Sequence, residues 1–237
     1  MRDLKPLTIP EIVKRLQLPR TSVHEIVNTL LEDDYLRRDE THSHKVFLGP
    51  KLFELGSAFA ANFDLIAEGR RVAASLVAIC DETVQMAVME GTEVVFIAKV
   101  DCSKAVRMVS RVGSRLPAHC TGVGKMLLSS LADSEIVALY NHRDELPKMT
   151  ANSITSVSKL LRELDAVRQR GIAYDDCESN IDVRCVAAPV YNHRNKMIAA
   201  MSISVPITRM SLTRQDELAV VICEGGKDLS HSLGSGI

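Results

Sequence analysis

The spacing of apolar residues changes near Glu82, and this change limits the folds that the chain can adopt. Much of the chain before it has apolar residues three or four positions apart, which is the pattern of one helix face. After it, Val84, Met86 and Val88 alternate with smaller or more polar neighbours, Glu90-Gly91 is a turn signal, and EVVFIAKV returns as a second strand. We therefore expect a helical first part followed by an antiparallel sheet.

Further strands and helices are predicted in the second part of the chain. The strands are AVRMVSRV, IAYD, RCVAAPVY and MIAAMSISV, and the helices begin near Thr121, cover VSKLLRELDAVRQRG, and follow Thr213. Gly171 is expected to end the second of these helices, and Gly225-Gly226 to fray or bend the last one. The order of elements predicts an α+β, sensor-like (GAF/profilin-like) domain in which helices flank a central, mainly antiparallel sheet.

Residues 1–49 form a separate small module in this interpretation. Thr8 is a candidate N-cap for a helix over LTIPEIVKRLQL, and Leu18-Pro19-Arg20 separates that helix from a second one over TSVHEIVNTLLEDD. YLRR and KVFL follow as two short strands joined by a polar tip. Helix, turn, helix and hairpin is the order of a winged helix-turn-helix, whose second helix enters the major groove. The residues predicted to be buried are Ile12, Val13, Leu16, Val23, Ile26, Val27 and Leu30.

The outer face of the second helix carries the residue types that contact DNA. Short hydroxyls near a helix start can bind phosphates, while asparagine and histidine can reach base edges. The candidate DNA-binding residues are Arg20, Thr21, Ser22, His24, Asn28 and Lys45. Residues 1–50 contain eight basic and eight acidic side chains, so attraction to DNA has to come from local placement, chiefly the wing cluster Arg37, Arg38, His42, His44 and Lys45. The alternative is a helical pair that never touches DNA.

Composition excludes several other classes of protein. There is no run of about 18 apolar residues that would predict a membrane span, and the N-terminus lacks the apolar core of a signal peptide. We therefore expect a cytoplasmic protein with no membrane association. The six cysteines contain no C-x-x-C pair, which argues for reduced thiols and against a metal site. Phosphate-loop, dinucleotide and H-E-x-x-H patterns are missing as well, so no cofactor and no enzymatic activity are predicted.

One stretch, GIAYDDCESNIDVRCVAAPVYN, has chemistry that the residues alone leave open. Its acidic residues and Cys185 fit a nucleophile, a metal cage or the wall of a pocket. A reactive thiol needs a neighbouring base, for which His119 is a candidate. Cys120 is the other candidate nucleophile, in place of Cys185. Arg184 is adjacent to Cys185 in sequence and so points to the opposite side of a strand. Pocket wall is the favoured interpretation.

The same stretch resembles the signature of a known family, at Gly171, Asp175, Glu178, Cys185, Val186, Ala187, Val190, Tyr191 and Asn192. RVGSRLPAHCTGVGKMLL, LRELDAVRQRGIAYDD, AAMSISVPITRMS and LPRTSVHEIVNTL are also similar to it. The chain thus resembles the IclR (isocitrate-lyase regulator) family of bacterial transcription factors from about Leu7 to Leu233. The resemblance implies a DNA-binding winged helix-turn-helix over 1–49, a linker helix over 50–63 and an effector-binding domain over 64–237. It also implies a homodimer or homotetramer that represses or activates transcription by binding double-stranded operator DNA.

The resemblance further implies a pocket for a small carboxylate effector. Its polar wall comprises Asp175, Cys185, Ser202, Ser204 and the backbone of Gly122, and its apolar wall Met108, Leu116 and Val183. The residue types agree with this role, because Ser202 and Ser204 share one side of a strand. Gly122 opens a helix, so its free amides can bind a carboxylate.

Some positions depart from the family pattern. Glu25 stands where the recognition helix usually has arginine, and Asp34 and Asp182 replace glycines at turns. Aspartate tolerates the left-handed backbone conformation, so both turns are expected to persist. The helix that usually precedes Leu7 is expected to be missing or shortened. These departures affect DNA affinity and operator sequence more than the fold.

Overall fold

The computed structural model describes residues 6–39, 44–55, 64–105, 111–140 and 145–236. They divide into two compact units, one within residues 1–64 and the other within residues 65–237. Each unit combines helices with antiparallel strands, so the predicted α+β class is confirmed. In these ranges no helix is long and apolar enough to span a membrane.

The first unit is a helix-turn-helix with a small sheet, as predicted. Its elements are β1 (Leu7–Thr8), α1 (Ile9–Leu16), α2 (Arg20–Glu32), β2 (Leu36–Arg38) and β3 (Lys45–Leu48). The three strands pair antiparallel in the order β1-β3-β2. Strand β1 was not predicted, because two residues carry no periodic pattern. Thr8 caps α1 as expected, since its hydroxyl accepts from the Glu11 amide at 3.4 Å while the Glu11 carboxylate accepts from the Thr8 amide at 2.7 Å.

The core of the first unit is narrower than predicted. Val23 and Val27, four residues apart on α2, are buried with Val46 of β3. Ile26 is 48% exposed and Leu16 is 56% exposed, so their predicted burial is wrong. The reason is that α1 and a three-stranded sheet cover only one narrow stripe of α2, and Ile26 lies to the side of it.

Two turn predictions have different outcomes. Asp34 adopts a φ of 58°, which is the left-handed conformation expected at a family glycine position, whereas Asp182 does not have a positive φ. Residues 51–55 are helical, where the linker helix was predicted to begin. Residues 56–63 of that helix, His42 of the wing, and residues 106–110 of the predicted strand AVRMVSRV lie outside the described residues.

The second unit is built on a six-stranded antiparallel sheet. The strands are β4 (Thr83–Glu90), β5 (Glu93–Val100), β6 (Arg115–Pro117), β7 (Ala173–Asp176), β8 (Val183–Tyr191) and β9 (Met197–Pro206), in the order β6-β5-β4-β9-β8-β7. The helices are α3 (Asp64–Cys80), α4 (Gly122–Leu128), α5 (Asp133–Leu139), α6 (Val157–Arg170) and α7 (Leu212–Ser232). Helix α5 was not predicted, because seven residues contain only two turns of periodicity.

Helices cover both faces of this sheet. On one face α3 and α7 bury a core that includes Leu76 and Ile222. On the other face α4, α5 and α6 bury a second core that includes Leu128 and Leu164. The predicted fraying at Gly225-Gly226 is wrong, because both glycines lie inside the continuous helix α7. A Cβ at Gly225 would come within 2.5 Å of the Leu76 side chain, so the glycine allows α7 to pack closely on α3.

Candidate functional site

Strand register brings several predicted pocket residues into one row. Asp175 on β7 pairs with Cys185 on β8, and Cys185 pairs with Ser204 on β9. Two residues away on the same face, Ser202 of β9 pairs with Gln85 of β4. Because alternate residues of a strand share a face, these five side chains lie on the same side of the sheet. That side is the one covered by α4.

The row and the start of α4 enclose a small cavity. Its volume is about 10 Å³, which is room for roughly one water molecule. The residues that line it are Gln85, Phe96, Leu116, Thr121, Gly122, Val123, Asp175, Ser179, Cys185, Ser202 and Ser204. Six of the eight predicted effector-binding residues are therefore together. Of the other two, Val183 is buried on β8 without lining the cavity, and Met108 lies outside the described residues.

The helix start predicted near Thr121 forms one wall of this cavity. The Thr121 hydroxyl caps α4 by accepting from the Gly124 amide at 3.1 Å. The amides of Gly122 and Val123 have no acceptor among the residues that the structure describes. Open amides at a helix start are hydrogen-bond donors for an anion.

Asp175 is buried at the floor of the cavity and is held by donors from its own loop. Its carboxylate accepts from the Glu178 amide at 2.7 Å, the Ser179 amide at 3.3 Å and the Ser179 hydroxyl at 2.5 Å. Burial raises the pKa of Asp175, although these hydrogen bonds and the positive charge of Lys125 oppose the shift. Ser179 was not predicted, because only the turn geometry of the loop brings it back to Asp175.

A buried ion pair lies behind this loop. The ammonium group of Lys125 on α4 contacts the carboxylate of Glu178, and lies 3.6 Å from Glu163 on α6. The Lys125 side chain is only 2% exposed. Burial raises the pKa of Glu178, and the charge of Lys125 works against that shift. The sequence signal for this pair is a single lysine within GVGKMLL, a helix whose residues are all buried.

The thiols of this region are poor nucleophiles. The Cys185 sulfur lies 3.2 Å from the Ser204 hydroxyl, which donates to Gln85 Oε1 at 3.0 Å. Burial raises the pKa of Cys185, and it raises the pKa of Cys120 to about 12. His119 is not hydrogen-bonded to either thiol, because its Nε2 lies 2.8 Å from the carbonyl oxygen of Pro147 and its Nδ1 has no partner among the described residues. The geometry favours a pocket wall over a reactive thiol.

Gln85 was not predicted as a site residue. It is a single polar side chain in the middle of an apolar strand and is almost fully buried. A buried polar side chain in a strand core usually has a specific partner, and here it accepts from Ser204. One polar residue among the apolar residues of β4 is the sequence signal that could have identified Gln85.

The candidate DNA-binding residues of the first unit are accessible. Arg20, Thr21, His24 and Asn28 are exposed on α2, whereas Ser22 and Lys45 are half-buried. Pro19 precedes α2 and provides no side-chain cap, so the first amides of the helix are open to an external acceptor. Glu25, the departure from the family pattern, is exposed beside them. This surface has the donors that a phosphate backbone requires.

Comparisons with known proteins agree along the chain. Residues 2–40 match the domain family described as "IclR helix-turn-helix domain". Residues 57–231 match the family described as "Bacterial transcriptional regulator IclR C-terminal".

Individual relatives give the same result. The chain is 32% identical over 230 residues to the HTH-type transcriptional regulator KdgR of Dickeya chrysanthemi, covering 97% of this chain and 75% of that protein. It is 29% identical to the transcriptional repressor IclR of Escherichia coli (strain K12), covering 96% of this chain and 83% of that protein. The crystal structure of the Thermotoga maritima IclR superposes with a TM-score of 0.75 at 27% identity, covering 98% of this chain and 93% of that one.

Proposed function

Because this chain belongs to the IclR family of bacterial transcriptional regulators, we propose that it senses a small organic acid and so represses or activates a catabolic operon. The family is non-enzymatic, and it joins a DNA-binding domain to an effector-binding C-terminal domain. The observation that carries the proposal is the buried polar row of β7, β8 and β9 facing open amides of α4.

The effector's carboxylate would bind to the amides of Gly122 and Val123. A hydroxyl or amine elsewhere on the same molecule would donate to Asp175, which already holds three donors and can accept one more. Ser202 and Ser204 would complete the polar wall, opposite the apolar side chain of Leu116; Met108 and Val183 are proposed to extend the apolar wall. The cavity of about 10 Å³ is smaller than any organic acid, so the walls must separate on binding.

The DNA-binding half of the proposal uses α2 and the wing. Arg20, Thr21, Ser22 and Lys45 would contact phosphates, while His24 and Asn28 would read base edges in the major groove. Glu25 would accept from a cytosine amino group. A homodimer, or a tetramer of two dimers, would place two such helices on a pseudo-palindromic operator. Such a regulator works on the chromosome, in the bacterial cytoplasm.

Coupling between the two ligands is the direct test of this function. An effector and operator DNA that favour different states should change each other's affinity by one common factor, typically 5- to 150-fold. Fluorescence anisotropy with DNA from upstream of the protein's own gene would measure DNA affinity with and without each candidate acid. Calorimetry would give the acid's affinity with and without DNA. The proposal would be contradicted if every acid that binds the protein left its DNA affinity unchanged.

The proposed phosphate contacts have a separate test in the salt dependence of DNA binding. Replacing Arg20 or Lys45 by alanine should weaken binding to all sequences alike and reduce the slope of log K against log salt by about one unit each. The matched control is Lys196→Ala, an exposed lysine of the second unit. Unchanged slopes for Arg20→Ala and Lys45→Ala would remove both residues from the interface.

A further inference from the structure

The second unit contains a cleft that the effector proposal does not use. It has a volume of about 410 Å³ and lies between the β4–β5 turn (residues 90–93), the 3₁₀ turn that follows β6, and the end of α5. Pro117, His119, Tyr140 and Pro147 line it together with that turn. A volume of this size is typical of sites for small organic molecules.

Two buried polar atoms in the lining residues have no hydrogen-bond partner among the described residues: Nδ1 of His119 and the hydroxyl of Tyr140. Burial raises the pKa of the Tyr140 hydroxyl, and a hydrogen bond from the His119 backbone amide works against that shift, but this bond lies outside standard hydrogen-bond geometry. Buried polar groups are normally paired, because an unpaired one costs free energy. Neither atom is solvent-exposed, so a ligand that reaches them has to shift the floor of the cleft locally.

The hydrogen-bonding state of His119 follows from its one contact. Its Nε2 lies 2.8 Å from the Pro147 carbonyl oxygen, which can only accept, so Nε2 carries the hydrogen. Burial lowers the pKa of His119, which favours the neutral ring; the hydrogen bond to Pro147 opposes this shift and the charge of Lys125 adds to it. Nδ1 is therefore a lone pair, and it calls for an N–H or O–H donor from a ligand.

The rim of the cleft selects the charge of that ligand. Glu90 and Glu93 both belong to the β4–β5 turn, and both are paired with one guanidinium, that of Arg115. The three groups together leave one negative charge at the mouth of the cleft. The walls next to it are apolar, formed by two prolines and by the rings of His119 and Tyr140, which lie edge to face with centroids 6.1 Å apart. This combination fits a cation that carries a flat apolar body.

We propose that this cleft is a second ligand site of the effector-binding domain, and that it takes a small arylalkyl amine, in which a carbon separates the amino group from the aromatic ring. The protonated amine donates to His119 Nδ1, the negative charge of Glu90 and Glu93 at the rim favours a cation there, and the ring packs between Pro117 and Pro147. The Tyr140 hydroxyl is the second polar contact. The site uses none of the residues of the cavity at Asp175, so it stands whether or not an organic acid binds there.

Three probes with one ring and different charge test the chemistry: benzylamine, benzyl alcohol and benzoate. Saturation-transfer NMR and calorimetry on the full-length protein should show saturable binding of benzylamine, weaker binding of benzyl alcohol, and none of benzoate. The Glu90→Gln/Glu93→Gln double variant should reduce the preference for benzylamine over benzyl alcohol. Equal binding of all three probes, or no saturable binding of benzylamine up to millimolar concentration, would overturn the proposal.

Tyr140→Phe locates the binding site. It removes one hydroxyl and keeps the ring, and since that hydroxyl is unpaired, the melting temperature should not fall. Benzylamine affinity should fall about tenfold, the effect of one hydrogen bond of ordinary strength. Tyr191→Phe makes the same change away from the cleft and should leave affinity as in the wild type. If the two variants behave alike towards benzylamine, the cleft is not its site.

Discussion

Replacing Lys125 by methionine should destabilise the effector-binding domain strongly. Lys125 is 2% exposed, and its partner Glu178 is 9% exposed, so both charges are out of water. Methionine keeps the length and the apolar body of the lysine side chain but removes the charge that compensates Glu178. The carboxylate is left buried, with one of its oxygens, Oε2, already lacking a hydrogen-bond partner among the described residues.

The magnitude follows from the burial of the pair. Removing one partner of a buried ion pair costs about 3–5 kcal/mol, whereas an exposed pair is worth about 0–1 kcal/mol. For a chain of this length, 1 kcal/mol corresponds to about 2–4 °C in melting temperature. We therefore expect Lys125→Met to lower the melting temperature by roughly 6–20 °C. Glu163 is the weaker partner of Lys125, because the two groups are 3.6 Å apart and Glu163 is 27% exposed, so Glu163→Gln should cost about 1 kcal/mol or less.

The assay is equilibrium unfolding in urea at one fixed protein concentration, because the stability of the proposed homodimer would depend on concentration. A double-mutant cycle with Glu178→Gln should show that Lys125→Met costs much less when the opposing charge is absent. Lys159→Met, at an exposed position of α6, is the matched control and should be nearly neutral. A cost below about 1 kcal/mol for Lys125→Met, or no coupling in the cycle, would refute the argument that this pair is buried and mutually dependent.

Three other predictions concern packing, thiol reactivity and pH. Gly124→Ala should prevent or severely impair folding of the α4 region, because the new Cβ would lie 2.2 Å from the carbonyl oxygen of Ala118, a backbone atom that cannot rotate away. Thermal melting followed by circular dichroism would measure this effect, and a melting curve like that of the wild type would contradict it. Cys223, the half-exposed thiol, should react with a thiol reagent before the buried Cys185, as mass spectrometry of partly labelled protein would record; faster labelling at Cys185 would restore the nucleophile interpretation. Burial raises the pKa of Asp175 above its ordinary value of 3.8, so the folded state binds this proton more tightly than the unfolded state does. The stability of the wild type relative to Asp175→Asn should therefore fall as pH rises from about 4. A stability difference in urea unfolding that does not change with pH would contradict this prediction.

The elements of the fold were largely predictable because their signals are local. The alternation in β4 and β5, the Thr8 cap and the Thr121 helix start each depend on residues within a few positions of one another. The predictions were incomplete or wrong where a local sequence pattern was too short, or where tertiary packing outweighed the local preference of a residue. Strand β1 and helix α5 are too short for periodicity, and Gly225 lies inside α7 at a position where any side chain would clash with Leu76 of α3.

The candidate site was only partly predictable, for a different reason. Six of the eight effector-binding residues suggested by the resemblance line one cavity. Gln85 and Ser179, which also line it, and the Lys125–Glu178 ion pair behind the Asp175 loop were not expected. Each of these depends on a contact between elements or on the path of a loop. The cleft at His119 and Tyr140 belongs to the same class, since only packing shows that two polar atoms have been left without partners.

By itself, then, the sequence determined the family, the order of helices and strands, and which faces of them are apolar, because periodicity and capping act within a few residues. The tertiary structure decided which polar side chains meet. Asp175, Cys185 and Ser204 form a row only because three strands pair in one register, and a shift of one residue in any of them would turn all side chains of that strand to the opposite face. Burial then fixed their chemistry, since the same carboxylates and thiols titrate differently once water is removed from them.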